Sequence, residues 1–156
     1  RAEGFERMTM SLGELLTLLY NLDGHRAIAT PAQKVRVDTM LATVGHIRQE
    51  LQEQFYEMIV REIMSRLDSI NWFLHDCVKG KEGCRLAFPT EIGNRQRIEE
   101  LVKALGHEMT DDVAERIARM DERIRQSTRP ANFIWPAEVQ PLYPQEPYWY
   151  LYVLPA

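Results

Sequence analysis

A chain of 156 residues with 45 % apolar content is large enough for one domain with its own core, so it does not depend on a disulfide framework or a metal for stability. Its formal net charge of −4, with 27 % charged residues of both signs, excludes a protein coated in positive charge for nucleic acid and leaves only a local basic stripe. No apolar run approaches the roughly 20 residues that span a bilayer, so no membrane partner is expected.

The opening Arg1-Ala2-Glu3-Gly4-Phe5-Glu6-Arg7 has no apolar signal core, and Met8 and Met10 are both available as a start. Ser11-Leu12-Gly13-Glu14 then has the form of a capping box, in which side chains satisfy the free amides of a helix start. Leu12, Leu15, Leu16, Leu18, Leu19 and Leu22 predict a short, well-buried helix over 12–22, broken at Asp23-Gly24. Thr30-Pro31-Ala32-Gln33 is a second start, with proline where its missing N–H costs nothing.

From there Val44, Ile47, Leu51, Phe55, Ile59, Ile63, Leu67, Ile70, Leu74 and Cys77 recur over 33 residues at about 3.7 per step. That period predicts a long straight helix, or two joined end to end, with Gly45 or Asp68-Ser69 as the place for a kink. Unbroken, it would run about 70 Å, well beyond the roughly 30 Å of a small domain, and would leave an arm for a partner. Lys79-Gly80-Lys81-Glu82-Gly83 ends it, and a loop is expected through Phe88-Pro89. Asn94 is the expected cap of the next helix, which carries Ile98, Leu101, Val102 and Leu105 on one face and stops at Gly106. Thr110-Asp111-Asp112 opens another, with Val113, Ile117, Met120 and Ile124 inward and Arg123 and Arg125 in its last turn; Thr128-Arg129-Pro130 stops it.

The last stretch differs in kind. Residues 129–156 hold six of the eight prolines and seven of the fourteen aromatics, with only Glu138 and Glu146 acidic. A solvated disordered tail has the opposite composition, so this one lies against something, its own domain or a partner. Tyr148-Trp149-Tyr150-Leu151-Tyr152-Val153-Leu154 is the strongest strand signal in the chain, and Pro141, Pro144 and Pro147 favour extended backbone upstream of it. The tail reads either as a strap over an apolar groove of its own domain or as a set of anchors for a partner, namely Phe133, Trp135, Tyr148, Trp149, Tyr150 and Tyr152.

Other constellations are weaker. Arg116, Arg119 and Arg123 form a basic row that continues to Arg125 and Arg129 and could track a phosphate backbone, but Asp112 and Glu115 stand four residues before Arg116 and Arg119 and neutralise much of it. The Leu105-Gly106 turn suggests a helix-turn-helix, against which the acids of the second helix would repel DNA. His46, Glu50, Glu53 and Glu57 share a face, yet a di-iron bundle needs Glu-x-x-His pairs that the chain lacks. Cys77 and Cys84 are separated by six residues, close enough for a bridge, but two reduced thiols in a cytoplasmic protein are expected. With His75 and His107 they do not make the paired spacings of a structural zinc site.

The expected fold is therefore mostly α: a bundle of four to five helices over residues 1–128, built on one long helix, and an extended aromatic and proline-rich tail over 129–156 with scope for a short strand. The expected function is non-enzymatic, with no catalytic residue, metal or cofactor. The chain reads as a helical subunit or adaptor that docks into a larger assembly, hetero- or homo-oligomeric, through the long helix and the tail. The alternative is a nucleic-acid-binding accessory protein using Arg116, Arg119, Arg123, Arg125 and Arg129.

Overall fold

The computed structural model describes residues 10–80 and 82–156. The expectations for Arg1–Arg7 and Met8, and Lys81 of the glycine-lysine loop, lie outside the described residues. The fold is mostly α, with six α-helices and one short antiparallel strand pair among the described residues.

Helix α1 (Leu12–Gly24) begins at the Ser11 capping box, in which Ser11 and Glu14 satisfy each other's backbone amides. Gly13 admits the Glu62 carboxylate, whose Oε2 accepts from its N–H at 2.7 Å; a side chain there would collide with that carboxylate. Arg66 completes the joint by donating to Glu62, Asn94 and Ser11. A 3-10 turn at Arg26–Ile28 leads to the Thr30 capping box and α2 (Pro31–Glu50).

The long apolar row is two helices joined end to end. The break falls at Leu51 (φ −120°, ψ 39°), not at Gly45 or Asp68-Ser69, and α3 runs from Gln52 to Val78. Gly45 sits in open space, where the helix continues undisturbed. Phe55, Ile59, Ile63, Leu67, Ile70 and Leu74 of α3 are buried, whereas Val44, Ile47 and Leu51 are not. The physical reason is length: α3 alone spans about 40 Å, which already exceeds the core, so the row above Leu51 turns aside and runs back along α1.

Helix α4 (Cys84–Glu91) occupies the expected Phe88-Pro89 loop. Gly83, at φ 83°, turns the chain into it, and Phe88 is fully buried, an anchor that outweighs the amide bond lost at Pro89. Because α4 runs through Ile92 almost directly into α5 (Gly93–Leu105), Asn94 is not a cap; its Nδ2 donates to Glu91 O and its Oδ1 accepts from Arg66. Gly106 ends α5 at φ 55°, and Thr110 caps α6 (Asp111–Ser127), both as the sequence predicts.

The two cysteines are not reduced thiols. Cys77 at the end of α3 and Cys84 at the start of α4 form a disulfide, their Cα atoms 5.7 Å apart, because the turn between them folds the two helix ends together. Closing so short a loop removes roughly 2.5 kcal/mol of unfolded-state entropy. Reduction, or Cys77→Ser with Cys84→Ser, is expected to lower stability by about 2 kcal/mol, read as a shift in the urea midpoint with the slope unchanged.

The core lies where α3, α5 and α6 meet, with α1 across α5. The tail closes it. Strand β1 (Thr128–Pro130) pairs antiparallel with β2 (Val153–Pro155), Arg129 opposite Leu154, and Ala131 and Ile134 extend the pairing to Tyr152 and Leu151. Of the strand signal only Val153 and Leu154 lie in β2; Trp149–Leu151 form a 3-10 turn that drops Tyr150 and Leu151 into the core.

Candidate functional site

The six aromatic anchors all face this chain's own domain. Tyr148 and Tyr150 are completely buried, with Tyr143 beside them. Phe133 packs on Tyr152 (centroids 5.3 Å apart), and Tyr152 donates to Tyr143 O at 2.7 Å. Trp135 meets Tyr143 edge-on at 5.2 Å and donates to Pro89 O. Trp149 lies under the Arg125 guanidinium at 4.0 Å. The tail is a strap: it also bonds α1, where Tyr20 donates to Leu142 O and Asn21 Oδ1 accepts from Tyr143.

Tyr148 sits in a polar pocket. Lys103 donates to its hydroxyl, and that hydroxyl donates to Glu100 at 3.0 Å. Burial pushes the Tyr148 phenol up, with Tyr20 and Glu100 adding to the effect. Burial likewise raises Tyr143, to about 12, and raises Tyr150 against the opposing pull of Arg95. A phenol with a raised pKa in the folded state stabilises fully below its unfolded value near 10, and loses that contribution as pH rises through the folded value. Stability is therefore expected to hold to about pH 10 and then to fall towards pH 12, by up to about 1.4 kcal/mol per pH unit for each phenol, measured by denaturant titration across that range.

The arginine row is engaged within the chain at every position. Arg116 pairs with Asp112 and Arg119 with Glu115, which raises the Arg119 guanidinium above its usual value. Arg123 bonds Asn71, Arg125 stacks on Trp149, and Arg129 donates to Thr128 O. Between α3 and α6 a groove of about 300 Å³ carries Arg116, Arg119 and Arg123 above Met64, Leu67 and Met120. His46 and Glu50 form an exposed pair at 3.0 Å. Among the described residues, no group of three or more His, Cys, Asp or Glu side chains is placed to hold a metal ion, and no helix is long and apolar enough to cross a membrane.

A further exposed apolar surface lies on the hairpin of α1 and α2, which are connected by the 3-10 turn. Leu22 lies near Val37 and Met40, and Leu12 and Leu15 near Val44 and Ile47, so the two helices run antiparallel. They do not close on each other. Of the twenty residues of α2 only Val37 is buried. Two gaps remain, one of about 500 Å³ that includes Leu22, Ile28, Val37 and Met40, and one of about 130 Å³ that includes Leu15, Ile47, Leu51 and Met58. Ile28 is 83 % exposed, Met58 55 %, Leu51 49 % and Ile47 46 %. The expectation of a well-buried α1 is corrected accordingly: Gly13, Thr17 and Leu19 are buried, while Leu18 is exposed and Leu12, Leu15 and Leu22 are only partly covered. Scattered apolar residues are ordinary on a surface, but these gather at two places along one supersecondary unit, with Met58 of α3 beside the second. The apolar row includes Ile47 and Leu51 but not Ile28, Met40 or Met58, and nothing in it marked Val44–Leu51 as uncovered.

Comparison with protein-family models, with curated proteins and with solved structures finds no match to this chain.

Proposed function

We propose that the protein is a non-enzymatic helical subunit that docks into a larger assembly through its α1–α2 hairpin. The observation that carries this reading is the open apolar groove of that hairpin, whose Ile28, Met40, Ile47 and Leu51, with Met58 of α3 beside them, have no covering element among the described residues. Of the two roles that the tail's composition suggests, its contacts favour the strap over its own domain. It completes the core that holds the hairpin in place, so the docking surface is the helical one. The nucleic-acid alternative is weaker, because each of its five arginines already has a partner within the chain. The cytoplasmic placement loses the support it drew from reduced thiols, since disulfides persist in oxidising compartments.

Native mass spectrometry of the protein purified gently from its natural source tests the reading. A defined complex is expected, and Ile47→Glu is expected to dissolve it while leaving the thermal melt unchanged, since Ile47 contributes little to the core. A bare monomer, or a complex indifferent to Ile47→Glu, would overturn it.

A further inference from the structure

Resting on that reading, we infer that the occupant of the hairpin groove is a second copy of this chain, packed hairpin on hairpin about a two-fold axis near Val44. Two independent features lead there. The first is spacing. Val37, Met40, Val44, Ile47 and Leu51 follow one another at intervals of three, four, three and four residues, the 3.5-residue repeat of a seam between antiparallel or parallel helices rather than of a helix laid on a broad core. Their own hairpin partner α1 covers the seam incompletely and leaves the two gaps along it. Two such hairpins face to face make a four-helix bundle, the usual way for open helical pairs to bury their apolar sides.

The second feature is the charge along the hairpin. Its tip carries exposed Lys34 and Arg36 beside Arg26, three cations against the two acids Asp23 and Asp38, and exposed Glu50 at its base is continued onto α3 by exposed Glu53 and Glu57. Among the described residues, Lys34, Arg36, Glu53 and Glu57 form no ion pair, and Glu50 meets only His46. A surface with one positive and one negative end is complementary to itself when the copy is inverted, which is the condition an isologous dimer must meet. Arg36 and Glu50 stand equally far on either side of Thr43, so the same axis sets Arg36 of one copy opposite Glu50 of the other, and does so twice. The antiparallel arrangement also opposes the helix dipoles of the two α2 segments favourably. A groove of uniform charge would instead select a partner of opposite sign; this one selects its own inverse.

Sedimentation velocity on the intact protein, from low to high micromolar, is the test. A dimer is expected for the wild type. Lys34→Glu with Arg36→Glu sets acid against acid and is expected to weaken association by about tenfold or more, and Glu50→Lys with Glu57→Lys to do the same with base against base. Combining all four reversals exchanges the ends of the hairpin and is expected to restore the dimer. All four positions are exposed, so the monomers should fold as the wild type does, checked by circular dichroism. A wild-type monomer throughout this range would overturn the inference, as would a dimer unmoved by either reversal. If the wild type is monomeric here yet Ile47→Glu dissolves a defined complex with a different protein from the natural source, the inference fails and the docking reading stands. If neither a dimer nor such a complex forms, both fail.

Discussion

Deletion of the residues after Arg129 is expected to unfold the helical domain, not to release a soluble bundle. The tail supplies Tyr143, Tyr148, Tyr150 and Leu151 to the core, each with at most 1 % of its surface exposed. Removing them strips α5 and α6 of the layer that keeps Ile98, Leu101 and Ile124 from water. A single change shows the scale. Tyr150→Ala should cost roughly 3–5 kcal/mol, a large part of the roughly 5–15 kcal/mol of a whole domain. The hydroxyl itself is a different matter. The Tyr150 Oη is buried without a hydrogen-bond partner among the described residues, so Tyr150→Phe removes an unsatisfied polar atom and should be neutral or stabilising by up to about 1 kcal/mol. Tyr148→Phe should go the other way, by about 1–3 kcal/mol, because Lys103 and Glu100 both lose a partner there. Urea unfolding of the three variants checks the order Tyr150→Phe, Tyr148→Phe, Tyr150→Ala. If Tyr150→Phe and Tyr150→Ala destabilised equally, the hydroxyl and not the ring would hold the tail, and the strap reading would be wrong.

Much of the helical frame was legible because its signals are local. Ser11, Thr30 and Thr110 cap where they stand, and Gly106 ends its helix, since each acts on amides or carbonyls within four residues. The stripe Val113, Ile117, Met120, Ile124 is buried as its spacing requires. What was not legible depends on residues far apart in the chain. Tyr20 and Leu142 are 122 positions apart, and no local pattern says that one receives the other. The strand signal at Tyr148–Leu154 was half misleading for the same reason: aromatic side chains favour strands when they face a flat sheet, but here they fill pockets on α5, and the backbone coils to let them in. The break at Leu51 was hidden by the regularity of the row through it. A helix face reads the same whether it meets a core or open water, so the sequence marks the hairpin groove as apolar without marking it as bare. The disulfide was geometrically open from the start, and composition alone weighed against it.

Asp121→Ala is expected to cost roughly 3–5 kcal/mol, as much as losing a large core side chain, though Asp121 contributes nothing apolar. The reason is Arg95 of α5. Its side chain is only 6 % exposed, and Asp121 of α6 meets it with both oxygens, at 2.6 and 3.0 Å, while Glu99 takes a third bond at 3.1 Å. Burial by itself would make Arg95 a weaker base; the bond and charge of Asp121 reverse that and hold its proton more tightly than an ordinary arginine does. Its guanidinium also lies 4.8 Å from the centre of the Tyr150 ring, so one charge joins α5, α6 and the tail. Without Asp121 the buried charge keeps only Glu99, and the cost of taking it out of water is no longer offset. The pair as a whole has a different value from either half. Arg95→Met combined with Asp121→Leu removes both charges at similar volume and should recover most of the loss seen in Asp121→Ala alone. A double variant no more stable than the single one would mean that Asp121 acts through something other than the charge on Arg95. The arrangement also bears on function. A buried, directional ion pair fixes how α6 and the tail lie on α5, and α5 is the surface on which α1 rests, so it also sets the angle at which the α1–α2 hairpin stands on the core.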